Sequence, residues 1–369
     1  MLDAMAKIAS MLLGIAVAGL LMTGVFLAHA ANEAKADARE AAEKAGRADV
    51  GNQVASPDGS GSSLTSSFAN TTAKNGPELA QKHKPFPAEL PPVPAGDVVS
   101  VDITLKDVVV EIAPGIKYVA WGFEGGVPGP TIHVRQGQKV KITLTNRGSI
   151  PHSIDFHAAR IAPDRAFRDV APGESITYTF EAGDPGVYMY HCGTKPVLAH
   201  IANGMYGAIV VDPAKPLPQA DKEYVLVASE WYLNVPGIET PAQYDVSKAH
   251  AMIPDWVTWN GYAGQYATHP LTADPGDLVR FYVVAAGPSL DTDFHVVGAI
   301  FDRAYVNADM GRWQEGVQTV GVPAGGGAVF DVKIDEAGLY PFLSHSFASV
   351  DLGQVGLLKV GEPKGAASH

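Results

Sequence analysis

The stretch Val187–Gly207, VYMYHCGTKPVLAHIANGMYG, sets Cys192 directly after His191, with His200 eight residues on and Met205 five beyond that. Cys192 is the only cysteine in the chain and has no internal disulfide partner. Upstream, PHSIDFH carries His152, Asp155 and His157. Successive side chains in an extended segment point to opposite faces, so His191 and Cys192 diverge. The same parity separates His152 from His157 and puts Asp155 on the face of His157. Two constellations result, back to back. One holds His152, Cys192, His200 and Met205; the other holds Asp155, His157 and His191.

Two imidazoles and a thiolate in a trigonal array, with a weak axial thioether, are the donors of a blue copper centre, which moves one electron at a time. The plainer alternative is a buried free thiol beside a core methionine. A Cys, two His and a Met gathered around one predicted strand argue against that coincidence. The second set has only two imidazoles, whereas a reactive metal commonly takes three protein ligands and keeps one position open. His345, in FLSHS, occupies in the second half of the chain the place that His191–Cys192 occupies in the first. A second domain, of the same chain or of a neighbour, is therefore the expected source of the third ligand. The adjacency of His191 and Cys192 would give electrons a short covalent route between the metals. His295, in DTDFHVVG, is the remaining histidine at a matched strand end. Those at 29, 83, 250, 269 and 369 fall in the leader, in loops or at the C-terminus, and His133 lies in a strand without polar company; these are set aside.

The elements that must position these side chains read as β structure. From Asp97 onward, short runs rich in β-branched residues, such as VVSVDITL, QKVKITLTN and ESITYTFEA, alternate with turn signals. The scheme runs twice. VPGPTIHVRQGQKVKITLTN is echoed by THPLTADPGDLVRFYVVAA, VAPGESITYTFEAGDPGVYMYH by VPAGGGAVFDVKIDEAGLYPFLSH, and GMYGAIVVDP by DLGQVGLLKVGE. Order-preserving echoes predict two copies of one β-sandwich, meeting near Pro213–Gln219. The expected domains are 97–214 and 215–363, with a tail over 364–369.

Residues 1–30 contain an uncharged apolar stretch over 8–28, long enough to span a bilayer, followed by Ala28-His29-Ala30, a plausible cleavage site. Signal peptide and uncleaved anchor both remain open. Either carries the chain out of the cytoplasm, and we expect a periplasmic or otherwise extracytoplasmic location. Residues 31–96 run from Ala/Glu/Lys through Ser/Gly to Pro, the composition of a flexible tether. The formal net charge of −12, with no cationic cluster, argues against a nucleic-acid partner.

Taken together, PHSIDFH, YHCGTKPVLAHIANGMYG and FHVVG…SHS resemble the copper-containing nitrite reductases. The likeness covers roughly 97–361. It implies a homotrimer of subunits with two tandem cupredoxin-like Greek-key sandwiches and two copper ions each. Residue by residue, it implies a type 1 copper on His152, Cys192, His200 and Met205, and a type 2 copper on His157, His191 and an adjacent subunit's His345. It further implies that Asp155 and His295 bind substrate and deliver protons. Val297 falls where the family often has a bulkier Ile, and Gln318 and Thr319 where it places residues behind the ligands and along a proton channel.

Reduction of nitrite to nitric oxide and water takes one electron and two protons. A donor copper, an open copper and an acid/base pair each answer to one of these needs. A two-domain multicopper oxidase would need His-x-His pairs for a three-copper cluster, and the chain reads HSIDFH and HCG instead. A cupredoxin electron carrier would leave His157, His191 and His345 without a role. A small cytochrome c or another cupredoxin is the expected electron donor.

Overall fold

The computed structural model describes residues 68–363. The leader expected over 1–30, the first part of the tether (31–67) and the tail (364–369) lie outside the described residues. No helix among the described residues is long and apolar enough to cross a membrane.

Eight strands build the first sandwich: β1 (Val98–Ala113), β2 (Ile116–Phe123), β3 (Ile132–Arg135), β4 (Lys139–Asn146), β5 (Asp155–Phe156), β6 (Ser175–Glu181), β7 (Gly186–His191) and β8 (Tyr206–Asp212). They form two sheets, β2-β1-β4-β6 and β3-β8-β7-β5. β6, SITYTFE, shows the expected alternation, burying Ile176, Tyr178 and Phe180 and exposing the residues between.

The second sandwich comprises β9 (Lys222–Trp231), β10 (Trp256–Trp259), β11 (Leu271–Ala273), β12 (Leu278–Gly287), β13 (Thr292–Val296), β14 (Arg303–Tyr305), β15 (Thr319–Val322), β16 (Gly327–Lys333), β17 (Gly338–Ser344) and β18 (Val355–Val360). Its sheets are β10-β9-β12-β16-β14 and β11-β18-β17-β13-β15. The echoes in the sequence correspond to a repeated topology. β3 runs parallel to β8 as β11 does to β18, and β7 pairs antiparallel with β8 as β17 does with β18. β5 lies beside β7 as β13 lies beside β17. His345, just past β17, and His191, ending β7, are thus topological counterparts.

Each sandwich has its own core, the first centred on Ile142, Phe156, Phe180 and Tyr190 and the second on Phe281, Phe294, Phe330 and Phe342. A third cluster joins them: Val187, Met189, Tyr206, Ala208 and Val210 of β7 and β8 pack on Val225, Val227, Tyr282, Val284 and Val329. β8 is therefore covered on both faces, which is why YGAIVVD is a continuous apolar run without alternation. The crossing is close at Gly327, where an added Cβ would stand 2.2 Å from the Val187 carbonyl oxygen.

Two sequence expectations need correction. From Phe68 onward the segment read as tether is a docked strap. His83 stacks on Tyr262, and the Phe86 amide donates to Gln265 Oε1 (2.7 Å). Ala88 and Leu90 exchange backbone hydrogen bonds with Val225 and Glu223 of β9. Pro94 and Gly96 then accept from Gln138 Nε2 in the first sandwich. Its low apolar content disguised an attachment made mainly through backbone groups. His133, read as lacking polar company, has Nδ1 2.6 Å from the strap carbonyl of Pro91 and Nε2 3.0 Å from Asp212 Oδ2.

The strap begins at a buried ion pair. Lys248 Nζ lies 2.8 and 3.0 Å from the Asp255 carboxylate and also donates to the Leu233 carbonyl oxygen. Asp255 accepts from the amides of Leu233 and Phe68, and the Phe68 ring covers Nζ at 4.2 Å. Removing one partner of such a pair leaves an uncompensated buried charge. Asp255→Ala should therefore cost about 3–5 kcal/mol in urea unfolding, and Phe68→Ala distinctly less. Equal small losses would show that the pair does not hold this corner.

Candidate metal centres

β7 delivers two donors through two faces. His191 is its last residue, and Cys192 opens a loop leading to the short helix Val197–Ala202, which carries His200. The Cys192 amide donates to the Met205 carbonyl oxygen (3.1 Å), and the Met205 amide to that of His200 (3.2 Å), closing the loop on itself. His152 comes from the segment before β5. Asn146, fully buried at the end of β4, donates to the Ile150 and Val170 carbonyl oxygens (both 2.8 Å), and Val170 exchanges backbone hydrogen bonds with His152.

His152 Nδ1 and His200 Nδ1 stand 3.0 Å apart, and Cys192 Sγ lies 3.2 Å from the second and 3.9 Å from the first. Donors about 2.0–2.3 Å from one ion stand roughly 3–4 Å from each other, so the three atoms fit a shared metal. All three residues are buried, and Met205 is buried in the same core as Cys192. Burial raises the Cys192 thiol pKa, against hydrogen bonds from Ser153 and Thr194. Burial, then His200, lowers His152 to about 4, and burial lowers His200. Neutral imidazoles with free lone pairs beside a thiol suit a soft cation such as copper.

On the other face, His157 Nε2 and His191 Nε2 approach to 3.0 Å, and Asp155 Oδ2 is 3.9 Å from the latter. Both Nδ1 atoms are committed. That of His157 lies 3.0 Å from the Gly325 carbonyl oxygen and that of His191 2.9 Å from the Cys192 carbonyl oxygen. A carbonyl only accepts, so each Nδ1 carries the proton and each Nε2 presents a lone pair. Two lone pairs facing each other repel unless a cation lies between them. Orientation of a ligating imidazole through its other nitrogen is the usual arrangement at metal sites. Burial lowers the His191 pKa, favouring the same neutral form.

Among the described residues, the groups of three His, Cys, Asp or Glu donors able to hold an ion are His152–Cys192–His200 and Asp155–His157–His191. Neither includes His345 or His295. Those two stand together elsewhere on the second sandwich, ring centroids 5.2 Å apart. His295 Nδ1 lies 2.7 Å from the Gln318 carbonyl oxygen and 3.3 Å from Thr319 Oγ1, leaving Nε2 free. Val297, one residue past β13, is 40% exposed.

Several contributors escape sequence reasoning. The Ser153 amide donates to Cys192 Sγ (3.3 Å), while Ser153 Oγ accepts from the Gly193 amide and lies 3.2 Å from Thr194 Oγ1. Thr194 Oγ1 also reaches Asp169 (2.7 Å). Trp121, half-buried, packs against the rings of both His152 and His200 at 5.3 and 4.8 Å. Ser153 lies within the PHSIDFH motif and Asn146 five residues before it, whereas Trp121, Asp169 and Gly325 lie outside any motif.

A family model described as multicopper oxidase matches residues 104–216. The chain is 40% identical over 281 residues to the copper-containing nitrite reductase of Neisseria gonorrhoeae, covering 74% of this chain and 71% of that protein. Among solved structures, the copper nitrite reductase of Nitrosomonas europaea superposes with a TM-score of 0.65 at 35% identity, covering 71% of this chain and 94% of that one. A multicopper oxidase superposes with a TM-score of 0.63 at 29% identity, covering 72% and 89%.

The depressed histidines set a pH dependence for the metal-free protein. A folded-state pKa below the unfolded value means that the unfolded chain binds protons first. The contribution of His152 to stability is thus full above its ordinary 6.5 and is lost as pH falls from there toward about 4. Thermal melts across that window should show a falling Tm, and the slope should flatten in His152→Asn. Parallel profiles for parent and variant would contradict a buried neutral imidazole.

Proposed function

Because the chain belongs to the copper-containing nitrite reductase family, we propose that it reduces nitrite to nitric oxide and water with two copper ions per subunit. One is held by His152, Cys192, His200 and Met205, the other by His157, His191 and His345 of the partner subunit. The observation that carries this reading is the pair of facing Nε2 atoms of His157 and His191, both tautomers set by carbonyls, one residue from the Cys192 cluster. Copper supplies a one-electron carrier at the first set and an open coordination position at the second.

The chain's own groups handle substrate and protons. Asp155, half-buried beside His191, is the acid/base group on the first sandwich. His295 is its counterpart on the second, with Nδ1 donating to the Gln318 carbonyl oxygen and Nε2 available to accept a proton from solvent and pass it on. Because His295 and His345 stand together, a neighbouring subunit that brings one brings both. Exposed Val297, Ile300, Leu339 and Phe347 on the second sandwich, the last in ring contact with His345, offer apolar surface for such a contact. These features support a closed homotrimer in which each interface completes one site.

The apolar stretch 8–28 supports export, with the enzyme working in the periplasm or anchored to the membrane. The net charge of −12 favours a small donor, a cytochrome c or cupredoxin, that presents a basic face. Trp121 against both imidazoles marks the approach to the first copper. The oxidase reading is disfavoured because a three-copper cluster needs more histidines than the two groups offer.

Asp155→Asn should retain both coppers yet lower nitrite turnover by about 10²–10⁴-fold, since it removes an acid/base group and no ligand; unaltered turnover would take Asp155 out of the mechanism. The shared site has its own test. His157→Ala and His345→Ala chains should each be inactive alone, and unfolding them together and reassembling with copper should restore activity. Where one chain's intact His157 meets another's intact His345, a complete site forms. If mixed trimers form and remain inactive, each chain builds its own site and the shared-site reading fails.

A further inference from the structure

The two imidazoles that face each other at the second centre are oriented by different parts of the chain. His191 uses the carbonyl of its own neighbour, Cys192. His157 uses Gly325, 168 residues away on the second sandwich. Gly325 belongs to the turn Pro323–Gly326 between β15 and β16. The Gly326 amide donates to the Pro323 carbonyl oxygen (2.7 Å), and the Gly325 amide to that of Ala285 (2.7 Å), which donates back to Gly326 (3.0 Å). These bonds are backbone only. A side chain also holds the turn: Asp291 Oδ1 accepts from the Ala324 amide at 2.9 Å, one residue before the carbonyl that meets His157.

Asp291 is itself at the end of a tethered loop. The buried carboxylate of Glu230 accepts from the amides of Ser289 (2.9 Å) and Leu290 (2.5 Å) and from the Tyr232 hydroxyl. Hydrogen bonds and single peptide links therefore alternate from a buried carboxylate of β9, through Leu290–Asp291 and Ala324–Gly325, to the ring of His157.

We propose that Asp291 is a positioning residue for the type 2 copper, holding the 323–326 turn so that the Gly325 carbonyl keeps His157 in the tautomer that presents Nε2 to the metal. The inference rests on the two-copper reading above. Without that carbonyl, the proton of His157 is free to sit on Nε2 and the ring is free to rotate, and both remove a ligand. Outer partners of ligating histidines typically govern metal affinity over about 10–100-fold. Because Asp291 acts through one intervening residue, the expected loss lies near the lower end.

The test uses the copper-loaded enzyme and three variants, with type 2 copper measured by chelator competition and by its electron paramagnetic resonance signal. Asp291→Ala should weaken type 2 copper retention by about tenfold and change the type 2 hyperfine pattern, with the type 1 absorption unchanged. Asp291→Asn keeps an acceptor oxygen at the same place and should restore both. Gly325→Ala approaches the same carbonyl differently. At φ +78° a Cβ is strained, and it would stand 3.5 Å from His157 Cε1, so it should reproduce the loss. Parental affinity and spectrum in Asp291→Ala would overturn the proposal, as would an Asn variant as weak as Ala or a parallel loss of the type 1 colour. A parent enzyme holding a single copper would instead overturn the two-copper reading on which the proposal stands.

Discussion

A single β-strand cannot turn two consecutive side chains to the same side, and this molecule is organised around that constraint. At the end of β7, His191 looks out of the first sandwich and Cys192 looks into its core. One donor set is therefore buried among apolar residues, and the other lies nearer the surface. The same few atoms of backbone join them, and the Cys192 carbonyl even orients the His191 ring. In the two-copper reading proposed above, that shared peptide bond is what would couple electron relay to chemistry.

Around that strand the structure is a duplication used asymmetrically. The second sandwich repeats the topology of the first but carries no cysteine, and its counterpart of the His191–Cys192 position is His345 followed by a serine. Its role is support and supply. It covers the outer faces of β7 and β8 with Val225, Val227, Tyr282 and Val329. It also brings Gly325 to His157 and carries the His295–His345 pair.

Much of this is legible in the sequence because the chemistry is local. The parity of His191 and Cys192, the spacing of PHSIDFH and the ordered echoes of the two halves need only the geometry of an extended chain. What sequence reasoning misses is long-range or lacks a distinctive side chain. Gly325 acts through a carbonyl that every residue possesses, from 168 positions away. Asp291 looks like an ordinary turn residue until its acceptor is seen on Ala324. The strap from Phe68 is polar and proline-rich, so its composition reads as linker, while its attachment depends on backbone bonds to β9 that no hydrophobic pattern announces.

That strap has a further consequence for solubility. β10 pairs only with the second half of β9, from Ala228 to Trp231, which would leave the backbone groups of the first half open along the border of the sheet. An uncovered strand border of this kind invites pairing with another chain and, at high concentration, aggregation. Ala88 to Leu90 occupy it, and the prolines at 87 and 91, which lack amide protons, fall on the strap's own outer side. The segment thus shields the second sandwich from unwanted strand addition while offering few amide donors of its own for a further strand.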